Sequence, residues 1–255
     1  MKIIDWVAIL GALAWSPHLI SFIKSYLTKP EIRIISQRSA EIGFSTFGPI
    51  FNIRLAFSVK NHDIVVSNLR VRLIHESGEE KYFEWQNVKQ QVATIQTREG
   101  AIPYEKENSV LAIKINQKDI EERQIQCRET SFISGRQNID NSFFKRLSFE
   151  KEKQEYDPIL FLDSQEANDV YNYIKHAFNW KAGRYKVEYL IESPEKFTLL
   201  DNMYEFSLLP IDIEQLDKNK EYIKQEFVNS FTSEGHVARK NIIWNWRYPA
   251  ILKRN

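Results

Sequence analysis

The chain is poor in cysteine, in glycine and in net charge, and each shortage removes a class of function. Cys127 is the only cysteine among 255 residues, so no intramolecular disulfide can form and no paired thiol ligands are available for zinc. Five His are dispersed. His62-Asp63 and His75-Glu76 are adjacent pairs, which in a strand point to opposite faces, so no metal is expected. Eight Gly lie scattered. Gly43 and Gly48 are the closest two, and neither GxGxxG nor GxxxxGK[ST] occurs, so no phosphate-cradling loop is expected. A net charge of +1 gives no overall field to select nucleic acid. Internal repeats and low-complexity tracts are absent.

Catalytic constellations are equally scarce. Cys127 lies between Gln126, Arg128 and Glu129, a flank that reads as solvated surface around an inert thiol. Ser142-Phe143-Phe144-Lys145 matches the S-x-x-K pattern of some acyl-transfer enzymes, but a companion Lys-Thr-Gly is missing. Glu79-Glu80 and Glu121-Glu122 are adjacent like charges suited to water. The expected sets of catalytic, cofactor-binding and metal-binding residues are therefore all empty, and no cofactor is implied.

What is present begins at the N-terminus. Trp6 to Ile23 contains no Lys, Arg, Asp or Glu. From Ile3 to Ile23 a helix spans roughly 32 Å, close to the thickness of bilayer hydrocarbon. Trp6 and Tyr26 sit near its ends, where amphipathic rings favour headgroups. A cleaved signal peptide fits less well, because Asp5 offsets Lys2 and the apolar run continues past Ala12-Leu13-Ala14. Residues 1–28 are thus expected to form a single-pass transmembrane anchor. Lys24, Lys29, Arg33 and Arg38 follow it, against Lys2 alone before it, which places the body in the cytoplasm beside a cell (inner or plasma) membrane. Pro17 and His18 interrupt the span and are intramembrane candidates for function. Ala8, Ala12 and Ser16 recur every four residues, a stripe that suits self-association of the helix.

Aromatics at 13% suit a β-rich core. Period-two alternation recurs through Phe51–Lys60, Leu69–Leu73, Phe83–Trp85, Leu111–Ile115, Tyr185–Ile191 and Tyr204–Leu208, with shorter stretches at 32–36 and 42–47. About eight strands result, each with one apolar face, and short early connections favour antiparallel pairing. The fold class expected is mainly β with helical additions: an antiparallel β-sandwich over 29–209, interrupted by a helical insertion near 117–180, then a helix and tail over 210–255. Trp180-Lys181-Ala182-Gly183-Arg184-Tyr185-Lys186-Val187-Glu188-Tyr189 resembles the approach to a late strand of immunoglobulin-like and related sandwich domains. That resemblance covers about ten residues and implies architecture alone.

One helix is well specified. Asp163 or Ser164 caps it, Glu166 is placed for a capping box, and Ala167, Val170, Tyr171, Ile174, Ala177 and Phe178 form its stripe. A second is expected over 213–231, with Asp212 as cap. Residues 117–157 are charged, mixed in sign and hard to assign; within them Leu147-Ser148-Phe149 followed by Glu150-Lys151-Glu152-Lys153-Gln154-Glu155 reads as an exposed excursion, either a mobile loop or a helical insertion. The C-terminal stretch from His236 carries Arg239, Lys240, Arg247, Lys253 and Arg254 with no acid, interleaved with Trp244, Trp246 and Tyr248. Cations beside interfacial aromatics make Arg239, Lys240, Trp244, Trp246 and Arg247 membrane-interface candidates; packing of the same rings on the domain is the competing expectation.

The functional expectation is a membrane-anchored, non-enzymatic interaction or scaffold module. Its partners are the lipid bilayer and another protein, with homo-oligomerisation through the anchor and no nucleic acid. A ligand-recognising sensor or effector is the alternative, and a hydrolase a more distant one.

Overall fold

The structure is a computed structural model that describes residues 15–19, 28–97, 100–109 and 111–254, with backbone alone over 88–97 and 100–109. The expected membrane segment therefore lies outside the described residues, apart from a helical stretch at 15–19 that holds Pro17 and His18. Among the described residues no helix is long and apolar enough to cross a membrane.

The alternating segments form strands as their patterns demand. In β3 (Gly48–Lys60), Phe51, Ile53, Leu55, Phe57 and Val59 are all buried. β5 (Asn68–His75) alternates without a fault, and β12 (Met203–Leu208) buries Tyr204, Phe206 and Leu208. β1 (Glu31–Ser36), β2 (Glu41–Ser45), β6 (Glu80–Thr97), β7 (Gly100–Ser109), β9 (Ile120–Glu129), β10 (Gly183–Glu192), β11 (Thr198–Leu200) and β13 (Leu252–Lys253) join them in one 11-stranded sheet. Its main path runs β11-β1-β3-β9-β6-β5-β10-β12-β13, with β2 beside β3 and β7 beside β6. All of its pairings are antiparallel except β1–β11.

This arrangement differs from the expected sandwich of two sheets. One sheet curls on itself until β12 meets β1 through side chains. Tyr204 donates its hydroxyl to the Ile34 carbonyl at 3.0 Å, the Tyr189 and Ser36 hydroxyls meet at 3.1 Å, and Asp201 lies between Arg33 at 3.2 Å and Lys253 at 2.9 Å. Strand alternation reports only that each strand has an apolar face, and a curled sheet satisfies that condition as well as two packed ones.

The ends of the curl differ. Five helices attach where β9, β10 and β12 meet the β2–β3 turn: α1 (Thr130–Lys151), α2 (Pro158–Phe161), α3 (Gln165–His176), α4 (Pro210–Lys218) and α5 (Ile223–Phe231). Gly48 turns there at φ +83°, and Phe132 occupies the space a Cβ would need. At the other end β4 (Ile64–Val66) and β8 (Ile113–Ile115) pair separately and bury Ile64, Val66, Ile113 and Ile115 in the same core. The chain also enters here: the Pro30 carbonyl accepts from Thr198 N at 2.9 Å and the Lys29 carbonyl from Asn61 Nδ2 at 2.9 Å.

Several expectations need correction. Residues 120–129 are the central strand β9 rather than part of a helical insertion beginning near 117, and α1 follows without a break. Mixed charge concealed β9 because its outer face carries Arg, Gln and Glu beside a wetted surface. Leu111 is exposed and lies outside β8. Ser164 caps α3, but Ala167 occupies the third helical position, so Glu166 forms no capping box. The helix expected over 213–231 is two helices joined by a 3-10 turn at Asn219–Tyr222, and Asp212 lies inside α4, accepting from Leu209 N. Leu216, Ile223, Phe227 and Ile251 belong to the same core cluster as the sheet.

Candidate functional site

The C-terminal tail is held against the domain by its backbone. Asn219, fully buried, donates from Nδ2 to the Phe44 carbonyl at 3.0 Å and to the Asn245 carbonyl at 2.8 Å. Its Oδ1 accepts from Asn245 N at 2.8 Å and from Asn245 Nδ2 at 3.0 Å. Arg247 bridges Ile42 through the backbone, and Ser39 bridges Ala250. One polar side chain thus ties β2, the 3-10 turn and the tail together, a role that a lone Asn in a charged stretch does not advertise.

The membrane-interface candidates are placed by this packing. Arg239 donates to the Thr232 carbonyl at 2.8 Å, and Lys240 exchanges backbone hydrogen bonds with the Asn229 side chain. Trp244 meets Tyr222 edge-on at 6.1 Å, Trp246 lies over Gly43, and Arg247 is 3.3 Å from Asp212. Arg239 and Lys240 sit against α5, at the helical end, whereas the chain enters at the opposite end. Trp6 and Tyr26 lie outside the described residues. Pro17 and His18 are exposed, with the His18 ring 6.0 Å from that of Trp15.

Other residues singled out for chemistry are dispersed. Cys127 is buried in β9, with its thiol pushed far up by desolvation, so its flank misled: in a strand Gln126 and Arg128 face one way and Cys127 the other. Ser142 and Lys145 share an exposed face of α1, where Ser142 bonds back to the Asn138 carbonyl. His75 Nε2 lies 3.0 Å from the Ala182 carbonyl and Nδ1 2.8 Å from Ser77 Oγ, so the ring donates across β10 and accepts within the β5–β6 turn. That pair fixes the turn. Burial pushes the Tyr185 hydroxyl beside it up to about 12. Among the described residues no cluster of three His, Cys, Asp or Glu is placed to hold a metal ion.

A cleft stands out on the outer face of the sheet. Along β3, pairing passes from β1, which ends opposite Leu55, to β2, which begins opposite Asn52. Gln37 N donates to the Arg54 carbonyl at 2.9 Å, and Arg38 to Ala40 then pair with the tail. The cleft holds about 240 Å³ and is lined by Gln37, Ser39, Glu41, Asn52, Arg54, Gln124 and Tyr248, with Ala40 and Ile53. Asn52 is 6% exposed and donates from Nδ2 to Glu41 Oε2 at 3.0 Å, while its Oδ1 is buried without a hydrogen-bond partner. Sequence reading missed this site because its members come from three strands, a connection and the tail.

The chain was compared with protein-family models, with curated proteins and with solved structures, and none of them matches.

Proposed function

We propose that this chain is a membrane-tethered, non-enzymatic interaction module whose body faces the cytoplasm and engages another protein close to the bilayer. The observation that carries this reading is the ribbon of β6 and β7. β6 runs from the helical end toward the end where the chain enters, and its last partner in β9 is Gln124, opposite Lys89. Residues 90–97 then pair with β7 alone, while β9 continues along β3. At about 3.3 Å per residue this ribbon is roughly 26 Å long.

Two-stranded ribbons are marginal in water and gain stability by docking. The register of β6 shifts after Trp85 and again after Gln91, as it does at β-bulges, which are over-represented at sheet edges. An arm that runs toward the point of chain entry suits a partner held at the same membrane. The uncharged opening segment, the basic residues after it and the lone cysteine support the tether and its orientation.

The test uses the full-length chain and a variant in which 90–106 is replaced by a two-residue turn. Expression in cells, membrane fractionation and affinity purification in mild detergent are followed by quantitative mass spectrometry. Both chains should stay with the membrane fraction, and a defined partner should be lost at least tenfold from the variant. A full-length chain that remains in the high-speed supernatant without detergent rejects the tether. An unchanged partner set rejects the arm.

A further inference from the structure

We propose that the cleft between β2, β3 and the C-terminal tail is a binding site for a small zwitterion, of which a free α-amino acid is the simplest example. Glu41 and Arg54 are diagonal neighbours across β2 and β3: Glu41 is paired with Asn52, and Arg54 lies two residues further on the same face. Such neighbours stand about 7–8 Å apart, within reach of a salt bridge by side chains this long. They make none. Both line the cleft, and Arg54 has no ion-pair or side-chain hydrogen-bond partner among the described residues. Opposite charges held apart across a cavity complement a ligand that carries both signs and no net charge.

The holding device is visible. The Asn52 amide donates to Glu41 Oε2 at 3.0 Å, a bond the carboxylate would give up on swinging to Arg54. A ligand ammonium has Glu41 as its acceptor. A ligand carboxylate has the planar Arg54 guanidinium, which suits bidentate pairing. Gln124, opposite Arg54 in β9, and Gln37, Ser39 and Tyr248 supply further hydrogen-bonding groups around the rim. The volume lies below the roughly 300–1,000 Å³ of sites for drug-sized ligands, which limits the occupant to a small molecule. Tyr248 forms one wall, so the tail makes a cleft of what is otherwise an open sheet face. This site is independent of the tether and of the ribbon.

The test is isothermal titration of the full-length chain in detergent micelles with L-serine, L-glutamine and L-glutamate, and with N-acetyl-L-serine and L-serinamide as singly charged controls. At least one free amino acid should bind saturably, each control should bind at least tenfold more weakly than serine, and Glu41→Gln and Arg54→Gln should each weaken binding at least tenfold. Glu41→Gln keeps an acceptor for Asn52, and melting curves of both variants check the fold. The proposal fails if no free amino acid gives a saturable heat up to 20 mM. It fails equally if either folded variant binds as the unaltered chain does, or if the controls bind as well as serine.

Discussion

Asn219→Ala offers the sharpest check on how the tail is held. The substitution removes four hydrogen bonds at once, two given to the Phe44 and Asn245 carbonyls and two received from Asn245. The Asn219–Phe44 bond is buried, so that carbonyl is left without a partner at a cost of about 1–3 kcal/mol. The Asn245 groups are only partly buried, and water can replace Asn219 there, leaving about half of the usual 1 kcal/mol per bond. Together these give a loss of about 3 kcal/mol, a large share of the roughly 5–15 kcal/mol that holds a domain folded. Urea unfolding of the full-length chain in mild detergent, followed by tryptophan fluorescence, reads the loss as a lower midpoint. Limited proteolysis should cut within 236–254 well before the rest of the domain. Asn219→Asp is expected to be at least as damaging, because it keeps an acceptor but sets a carboxylate against two carbonyl oxygens. A loss below 1 kcal/mol with the tail still protected would refute the assignment of Asn219 as the clamp.

Three further outcomes are expected. Gly43→Ala sets a methyl group into the ring of Trp246 and should cost about 1–3 kcal/mol by overpacking; unchanged thermal melting counts against that contact. Cys127, buried and with a raised thiol pKa, should resist an aromatic disulfide reagent at pH 8 until urea is added, so rapid reaction of the folded chain contradicts its burial. Burial raises the Glu226 carboxyl above its ordinary 4.5, with Arg239 opposing in part. A carboxyl with a raised folded pKa binds its proton more tightly in the native state, so its contribution to stability falls as pH rises above about 4.5. Glu226→Gln should therefore raise the melting temperature at pH 7 and leave it unchanged at pH 3.5; equal shifts at both values contradict the burial argument.

The strands were legible wherever one face is apolar and the other wet. Phe51 to Val59, Leu69 to Leu73 and Tyr204 to Leu208 announce themselves because side chains alternate across a strand. The stripe of α3, with Ser164 at its cap, was readable for the same local reason. β9 was not, since its outer Arg, Gln and Glu residues hide the buried Ile125 and Cys127. The ribbon was missed because 88–109 carries no clean alternation, and its pairing depends on backbone hydrogen bonds that any residue supplies except Pro at the donor.

Composition and local period, then, decided by themselves that the chain is rich in strands, can form no intramolecular disulfide, and opens with a run from Trp6 to Ile23 free of Lys, Arg, Asp and Glu. Those properties belong to stretches of neighbouring residues, and neighbours are what a sequence displays. Tertiary structure alone decided that one sheet curls instead of two packing. It also decided that the tail lies down under Asn219, and that Glu41 and Arg54 face a shared cleft without touching. Each of these depends on which strands pair and in what register, a choice made by long-range packing between residues far apart in the chain.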